Sequence, residues 1–392
     1  MPRKIRNRGN GAYQFSIAVG YDDKGKQIIK TKTVHASSDR EAEKMYNLFA
    51  AEVQKGEVAA TGKYKLFAFT EDWFQKHCEK NLAPKTLITY RNHLEKRILP
   101  ALGYMDIHKI RPQHIMEFME SLENGKRYDG RSGGISAESA RYCFRVLSSM
   151  LQDAVQWQVI TSNPCSRVKP PSVKSRQINT LKEDDIKSML DLLKKEPIKY
   201  KTIIYLAIDS GLRLGELMAL KWDDIDFEKK ILSVTKSNQA LKGKGIFTKA
   251  PKNLSSVRQV ALSEFVCNLL LNYKKEQEFN RQALSEKWQG SDWIFTQWNG
   301  LPMYPTTPSQ WFRKFLKRNG LPHMPFHGLR HLSATLLIAQ GVPLKNVSSR
   351  LGHADIRTTA NIYSVALQSV DREAAKKMDK LLSHSDRPDD AT

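Results

Sequence analysis

The chain has 392 residues and a formal net charge of +22 at pH 7, because 63 Lys and Arg residues outnumber 41 Asp and Glu residues. That length favours two or three domains over a single core. So large a positive excess disfavours a merely basic soluble protein and favours a polyanionic partner, usually nucleic acid. Hydrophobic residues make up 40% of the chain, which is enough apolar surface for packed cores.

Neither a membrane span nor a secretory signal is indicated. No apolar run is long enough to cross a membrane, and no apolar segment follows the basic start of the chain. The cysteines form no Cys-x-x-Cys pair, which disfavours a zinc ribbon or a disulfide framework. They are Cys78, Cys143, Cys165 and Cys267. We therefore expect a reduced, cytoplasmic protein with no membrane contact.

Residues 1–62 predict a small sheet followed by one helix. Apolar residues alternate through "GAYQFSIAVGY", which is the periodicity of a strand. The turn residues "DDKG" follow, and "QIIKTKTVH" predicts the returning strand. Ser38 and Glu41 then have the spacing of a capping box for a helix that runs to about Val53.

Basic residues cluster at the leading end of this first unit. They are Arg3, Lys4, Arg6 and Arg8. A small sheet can bind DNA from within a groove, and basic side chains would strengthen such binding. The alternative interpretation is a solvated basic tail on a domain that serves packing alone.

Residues 66–167 predict a helical domain. Thr70 is expected to cap a helix over "EDWFQKHCEKN", and Pro84 falls at the first turn of the next helix. Lys85 and Thr86 follow that proline and are candidate DNA contacts. A long helix in "SAESARYCFRVLSSMLQDAVQWQVI" is expected to place one apolar stripe inward. The stripe consists of Tyr142, Val146, Met150, Ala154 and Trp157.

Residues 168–179, "VKPPSVKSRQIN", contain two prolines and no hydrophobic periodicity, which is typical of an interdomain linker.

From 180 to 392 the pattern becomes mixed α/β, with helices around a strand-rich block at about 230–262. Thr180 and Glu183 have the spacing of another capping box. We therefore expect a multidomain chain that is mainly α with α+β parts.

The stretch "FHGLRHLSATLLIAQG" places His327, Arg330 and His331 within five positions. The two histidines share a helical face at the spacing of zinc ligands. A zinc site is nevertheless disfavoured, because Gly328 occupies the position of the HExxH glutamate and Arg330 would repel a dication. For His331 alone, a satisfied core position is expected. Arg330 needs an anion, and its planar fork is suited to phosphate.

Further candidate phosphate ligands are spread over the same region. Arg213 follows a glycine at the start of a helix, where anions bind well. Lys252 lies in a predicted loop between two strands in "FTKAPKNLSSVRQVAL". In "SRLGHADIRTTANIYS", His353 follows a helix-ending glycine and Tyr363 comes ten residues later. Each pattern alone is weak, since such residues are usually solvated charges or packing residues.

Together these residues form an ordered set that resembles the tyrosine recombinases, the phage integrase family. The set is Arg213, Lys252, His327, Arg330, His353 and Tyr363. The flanking "GLRLGEL", "HGLRH" and "LGHADIRTTANIYS" are similar as well. The resemblance is strong from the linker through the mixed α/β region, which would be the catalytic domain. It is looser over 66–167, which looks like the family's helical core-binding domain. Residues 1–62 look like the arm-type DNA-binding domain of integrases from temperate phages and integrative conjugative elements.

The resemblance implies DNA strand exchange that uses no metal and no cofactor. Tyr363 would attack the scissile phosphate and form a 3′-phosphotyrosyl link. Arg213, Arg330 and His353 would bind the phosphate. His327 would be the general base or a proton shuttle, and Lys252 would be the general acid. Lys252 is chosen among nearby lysines because it lies six residues before Arg258, just ahead of the "RQVAL" strand.

The resemblance also implies partners. They would be double-stranded DNA with crossover and arm-type sites, a homotetramer assembled on that DNA, and accessory proteins for DNA bending and excision. The segment "DREAAKKMDKLL" (371–382) has apolar residues at helical spacing. Such a segment would pack on a neighbouring subunit, and packing on its own subunit is the alternative.

Two rival interpretations remain open at this point. A non-enzymatic helix-turn-helix regulator would account for "AQGVPLKNVSSRLGHADIRTTANIYS" and for the charge. It leaves Arg213, Lys252 and the cluster around Arg330 unexplained. A metal-dependent transposase would need a trio of acidic residues, and no trio stands out.

Overall fold

The computed structural model describes residues 5–21, 27–54, 64–125, 133–173, 181–241, 243–249, 256–290 and 292–357, together with Thr359, Ala360, Ala375, Met378, Asp379 and Leu382. The chain divides into two compact units, Met1–Ser175 and Arg176–Thr392. The boundary between them falls inside the predicted linker. Within the described parts, no helix combines the length and the apolarity that a membrane span requires.

The N-terminal part of the first unit is a three-stranded antiparallel sheet with one helix. Its strands β1 (Ile5–Gly9), β2 (Ala12–Tyr21) and β3 (Gln27–His35) pair in chain order, and α1 (Asp39–Gln54) follows. The last two strands and the helix confirm the sequence prediction. Strand β1 was not predicted, because its basic residues interrupt the apolar alternation.

The start of α1 is capped as its sequence indicates, with one difference. The Ser38 hydroxyl accepts the backbone N–H of Glu41 at 3.3 Å, as a capping box requires. The Glu41 carboxylate, however, accepts the backbone N–H of Ser37 at 2.8 Å, one residue before the cap. Fully buried Phe15 of β2 packs against Phe49 of α1, so one face of the sheet is covered by the helix.

The remainder of the first unit is helical. Helix α2 (Leu66–Trp73) continues through a π-helical turn (Phe74–Cys78) into α3 (Glu79–Asn81). Helix α4 (Pro84–His93) continues through a second π-helical turn (Leu94–Ile98) into α5 (Leu99–Leu102). Helices α6 (Pro112–Glu123) and α7 (Ala137–Gln156) complete it.

Two predictions within these helices were wrong. Thr70 does not cap a helix, because α2 begins four residues earlier and the Thr70 hydroxyl donates to the Leu66 carbonyl at 2.7 Å. A threonine can bond back along its own helix in this way, so its presence does not mark a start. The stripe on α7 is buried at Val146, Met150 and Ala154, but Trp157 at its end is 38% exposed.

Helix α4 confirms the prediction that Pro84 occupies a first helical turn. The proline has no N–H to leave unpaired there, and its fixed φ already suits a helix. Lys85 is exposed and Thr86 half-buried on that same turn.

The second unit combines seven helices with two small antiparallel sheets in its described residues. The helices are α8 (Glu183–Leu193), α9 (Ile198–Ser210), α10 (Leu214–Leu217), α11 (Glu264–Leu284), α12 (Thr306–Arg318), α13 (Gly328–Ala339) and α14 (Leu344–Leu351). One sheet pairs β4 (Ile225–Asp226) with β5 (Ile231–Val234) and β8 (Arg258–Ala261), and the other pairs β6 (Ser237–Leu241) with β7 (Gly245–Lys249). The predicted strand-rich block and the mainly α fold class are confirmed.

The predicted capping box before α8 was wrong. Lys182 occupies the cap, and its backbone N–H donates to the Asp185 carboxylate at 3.4 Å. Thr180 lies outside the described residues. Three acidic residues in succession made the choice of partner ambiguous from the sequence.

Helix α9 is the centre of the second unit's core. Its residues Ile203, Ile204 and Leu206 are fully buried, and the helix packs against both α11 and α13. It ends at Gly211, whose φ of +63° is the left-handed conformation that terminates helices. Helix α14 ends in the same way at Gly352, with φ of +68°. The carbonyls at these two helix ends build the candidate site.

Candidate active site

Arg330 lies in the first turn of α13 with a side chain that is only 2% exposed. Its Nη1 donates to the Gly211 carbonyl at 2.7 Å, and its Nη2 donates to the Leu351 carbonyl at 2.7 Å. These carbonyls belong to the ends of α9 and α14, where the helical ladder provides no donor and the helix dipole favours a cation. Burial, followed by the charge of Arg213, lowers the pKa of Arg330 to about 9, so it stays charged at pH 7.

Arg213 is the capping residue of α10. Its Nη1 donates to the Glu216 carboxylate at 2.8 Å, and its Nη2 donates to the Gly352 carbonyl at 3.0 Å. Arg213 lies at a helix start, as predicted, but α10 is one turn long and Glu216 already accepts the Arg213 backbone N–H at 3.0 Å. The guanidinium is the available anion ligand instead, since the Arg213 side chain is 39% exposed.

Glu216 is a residue of this site that the sequence analysis missed. Its carboxylate also accepts a hydrogen bond from Arg258 Nη2 at 3.0 Å, so one buried acidic group holds two arginines. Burial alone would raise the pKa of Glu216, but the hydrogen bonds and charges of Arg258 and Arg213 outweigh it and lower the pKa. Its position three residues after Arg213, on one helical turn, was the pattern that could have identified it.

Arg258 and Arg350 extend the same arrangement. Arg258, the first residue of β8, is 7% exposed, and its Nε donates to the Arg350 carbonyl at 2.7 Å. Arg350 Nη2 donates to the Asp209 carbonyl at 2.8 Å and to the Ala261 carbonyl at 2.9 Å. Guanidinium groups therefore satisfy a row of carbonyls at the two helix ends. Those carbonyls belong to Asp209, Gly211, Arg350, Leu351 and Gly352.

His327 precedes α13 and lies edge-on to His331, with 4.8 Å between the ring centroids. The pKa of His327 is lowered to about 4, mainly because the protein side of the ring loses its hydration. The charges of His331, Arg330 and Arg213 lower it further. The imidazole is therefore neutral at pH 7, although the residue is open to solvent on one side. Among the described residues, no group of three or more His, Cys, Asp or Glu side chains is placed to hold a metal ion.

The expectation of a satisfied core position for His331 was wrong. Its Nδ1 is buried and has no hydrogen-bond partner within the described part of the chain. Burial, followed by the charge of Arg330, lowers the pKa of His331.

His353 directly follows the end of α14, and its backbone N–H donates to the Ser348 carbonyl at 3.1 Å. Its ring Nδ1 lies 2.7 Å from the hydroxyl of fully buried Thr359. Burial, then the charges of Arg330 and Arg213, lower the pKa of His353 to about 4. The charges of Arg330 and Arg213 thus act on both His327 and His353, which places these four residues in one local field.

The other candidate residues lie outside the described residues. These are Arg3, Lys4, Lys252 and Tyr363. The strands expected on either side of Lys252 are present, since β7 ends at Lys249 and β8 begins at Arg258. The structure therefore brings four of the six predicted catalytic residues together and frames the segment that holds a fifth.

Two family models match the chain. The phage integrase family matches residues 179–369, a span that includes all six predicted catalytic residues, and the phage integrase N-terminal SAM-like domain matches 65–122. The ICEBs1 integrase of Bacillus subtilis (strain 168) is 28% identical over 378 residues, covering 96% of this chain and 100% of that protein. A XerC-like tyrosine recombinase of Caldanaerobacter subterraneus is 27% identical, covering 97% of this chain and 100% of that protein.

Solved structures show the same fold. The Tn1549 transposon integrase in complex with transposon right end DNA has a TM-score of 0.67 at 21% identity, covering 80% of this chain and 99% of that one. A lambda integrase tetramer bound to a Holliday junction has a TM-score of 0.56 at 19% identity, covering 92% of this chain and 95% of that one.

The fold and the matched sequence define a DNA-breaking-and-rejoining enzyme of the tyrosine recombinase class. This chain belongs to the phage integrase family. The interpretation as a non-enzymatic helix-turn-helix regulator is not favoured, because the family match extends far beyond that short motif.

Gly352→Ala tests whether the end of α14 must be tightly packed. An added Cβ would lie 2.9 Å from Arg258 Nη1 and would push that guanidinium away from Glu216. Gly320→Ala is the matched control, since its φ of +67° is nearly the same and no heavy atom lies within 4 Å of the added Cβ. Both variants carry left-handed strain of about 1–2 kcal/mol. We expect urea unfolding to show a further loss of about 1–3 kcal/mol for Gly352→Ala alone. Equal losses would show that the close approach to Arg258 is unimportant.

Proposed function

We propose that this protein is a site-specific recombinase that integrates and excises a mobile DNA element through a 3′-phosphotyrosyl intermediate. The observation that carries the proposal is the convergence of two guanidinium groups and two neutral imidazoles at the ends of α9 and α14. The groups are those of Arg213, Arg330, His327 and His353. The names of the relatives support the biological role, because the ICEBs1 protein and the Tn1549 protein are both integrases.

The arginines would stabilise the charge that develops on the phosphate. Arg330 uses two of its five N–H donors on carbonyls, which leaves further donors and a full positive charge. Arg213 is held from one side by Glu216 and keeps a solvent-exposed face. Donors fixed in advance need not reorganise during the reaction, and this is how they lower its barrier.

The imidazoles would handle protons. A neutral imidazole can accept a proton, and His327 is neutral at pH 7. A phenol has a pKa of about 10, so the Tyr363 hydroxyl needs a nearby base or a strong positive field to become a nucleophile. A bound DNA phosphate would raise the pKa of His327 towards the working pH, because it opposes the arginine charges that lower it. His353 would donate a hydrogen bond to the phosphate.

Lys252 would protonate the leaving 5′-oxygen. Its segment lies between β7 and β8, and β8 begins with Arg258, which is bonded to Glu216. A loop anchored at that end is within chain reach of the arginine cluster. Lysine is a reasonable general acid because a neighbouring positive field lowers its pKa towards neutrality.

Residues 1–62 would bind arm-type DNA sites, distinct from the crossover site. The face of the sheet opposite α1 is polar, with Arg6 paired to Gln14 across β1 and β2, and Gln14 paired to Thr33 across β2 and β3. Arg8 is oriented by Gln14, whose side-chain oxygen accepts its Nη2–H at 2.6 Å. Arg3 and Lys4 precede this face in sequence. An open polar sheet face of this kind can enter a DNA groove.

Each domain would then have a separate role. Residues 66–167 would be the core-binding domain, with Lys85 and Thr86 against the backbone of the crossover site, 168–179 the linker, and 180–392 the catalytic domain. Lambda integrase has been solved as a dimer on a core site and as a tetramer on a Holliday junction. We accordingly propose a homotetramer on paired duplexes, with accessory proteins that bend DNA or direct excision. The site of action would be the cytoplasm, at the nucleoid.

The first test is Tyr363→Phe, with Tyr304→Phe as the control at a partly exposed tyrosine of the same unit. The change removes one oxygen atom, so folding and DNA binding should persist. In EDTA, the wild type and the control should form a covalent adduct with a nicked suicide duplex, seen as a gel shift that resists denaturation. Tyr363→Phe should form none. An adduct with Tyr363→Phe would assign the chemistry to another residue.

The second test concerns the leaving group. Lys252→Ala should cleave a normal duplex about 100-fold or more slowly, which is the usual contribution of a general acid. A bridging 5′-sulfur leaves without protonation, so a sulfur-bridged duplex should restore the rate. Lys244→Ala, at an exposed lysine in the turn between β6 and β7, should behave as the wild type on both duplexes. Failure of the sulfur to rescue would remove Lys252 from this role.

The third test concerns the open sheet face. Arg6→Ala combined with Arg8→Ala should weaken binding to arm sites by about tenfold or more and reduce the salt dependence of that binding. Cleavage of a short crossover duplex should be unchanged. The control is Arg40→Ala, which removes an exposed arginine from the first turn of α1. Footprints that keep full arm protection in the double variant would contradict an arm-binding sheet.

A further inference from the structure

Thr359 is a fully buried residue whose hydroxyl lies 2.7 Å from Nδ1 of His353. It is a polar group with no exposure to water, six residues beyond the histidine and four residues before Tyr363. Neither the fold nor the proposed chemistry yet accounts for this contact.

The direction of this hydrogen bond decides what the histidine can do. A neutral imidazole carries one N–H, on either Nδ1 or Nε2, and the other nitrogen is an acceptor. Phosphate oxygens only accept hydrogen bonds. A neutral His353 can therefore donate to phosphate through Nε2 only when its Nδ1 accepts a hydrogen bond or stays bare.

Burial of the Thr359 hydroxyl favours one direction for its hydrogen bond with His353. If Nδ1–H of His353 donated to the hydroxyl, the hydroxyl proton would need another acceptor, and none is present for it among the described residues. A buried donor without a partner is costly. When the hydroxyl donates to Nδ1 instead, both groups are satisfied and the imidazole proton resides on Nε2. The lowered pKa of His353 is consistent with the neutral ring that this arrangement needs.

Among the described residues, Thr359 is the recorded hydrogen-bond partner of the His353 ring. The side chains whose charges act on His353 are Arg330, Arg213, His331 and His327, and the two guanidinium groups offer donors and no acceptor. The nearby carboxylate, Glu216, already accepts from two arginines. The hydroxyl is thus the group that can select which nitrogen carries the proton.

We propose that Thr359 is a positioning residue that sets the tautomer of His353, so that Nε2 of the histidine carries the hydrogen atom and donates a hydrogen bond to the scissile phosphate. This inference rests on the proposed function, because it takes a DNA phosphate as the ligand of His353. It adds a residue that would act on the phosphate through the imidazole of His353.

The test compares two substitutions at Thr359 in the full-length chain. Thr359→Val keeps the shape and removes the hydroxyl, whereas Thr359→Ser keeps the hydroxyl. At saturating protein, the single-turnover cleavage rate of a suicide duplex should fall by about 10- to 100-fold for valine. This is less than the roughly 100- to 1,000-fold seen when a transition-state donor itself is removed, because the imidazole stays in place. The serine variant should stay within about twofold of the wild type, and DNA affinity should be unchanged in both. A valine variant that cleaves at the wild-type rate overturns the inference.

Thr335→Val is the matched control for removal of a hydroxyl from the same unit, because the Thr335 hydroxyl is buried without a hydrogen-bond partner among the described residues. It should leave the cleavage rate unchanged. Should Thr359→Val unfold, Thr359→Ala provides a second hydroxyl-free variant, and circular dichroism with DNA binding establishes which variants are folded.

A double-mutant cycle with His353→Ala separates positioning from packing. In the His353→Ala background, Thr359→Val should cause no further loss, because the group it acts through is gone. An equal loss in both backgrounds would mean a structural role and overturn the inference while leaving the proposed function intact. A wild-type rate for His353→Ala would remove the phosphate-binding role of His353 and the inference with it. Adduct formation by the wild type and its loss in Tyr363→Phe test the proposed function independently.

Discussion

The buried guanidinium of Arg330 is the group on which the rest of the site depends. It satisfies the terminal carbonyls of α9 and α14, two helices from different stretches of the chain, and so fixes the distance between their ends. The carbonyls need a donor because the helical ladder ends there, and the charge is favourable at the negative ends of both helix dipoles. Folding and the proposed phosphate recognition therefore depend on the same side chain.

That arrangement concentrates positive charge around a single carboxylate. Glu216 holds Arg213 and Arg258 but cannot balance them together with Arg330. Burial, together with this surplus positive charge, lowers the pKa of His327 and His353. The missing counter-charge is what a DNA phosphate would supply. On binding, the phosphate would relieve the repulsion among the arginines and raise the pKa of the two imidazoles. Substrate binding would in this way make the imidazoles better proton acceptors. The net charge of +22 extends the same attraction to the rest of the DNA.

The errors in the predicted helix caps have a common origin. Thr70 has the residue type of a helix cap but lies inside α2, and Lys182 caps α8 in place of Thr180. Short polar side chains can bond to several nearby backbone groups, so residue type and spacing do not select one of them. Other predictions were confirmed, including strands β2 and β3, the first turn of α4 and the strand-rich block before α11.

The sequence by itself determined the family, the mainly α fold class and the order of the candidate catalytic residues. Those features depend on local periodicity and on motifs whose residues lie close together along the chain. Only the tertiary structure decided how the motifs meet: that Gly211 and Leu351 share one arginine, that Glu216 joins Arg213 to Arg258, and that Thr359 contacts His353. The contact between Arg330 and Gly211, for example, joins residues 119 positions apart. No local pattern encodes such long-range contacts, because they form only when the packing of α9, α13 and α14 brings two helix ends together.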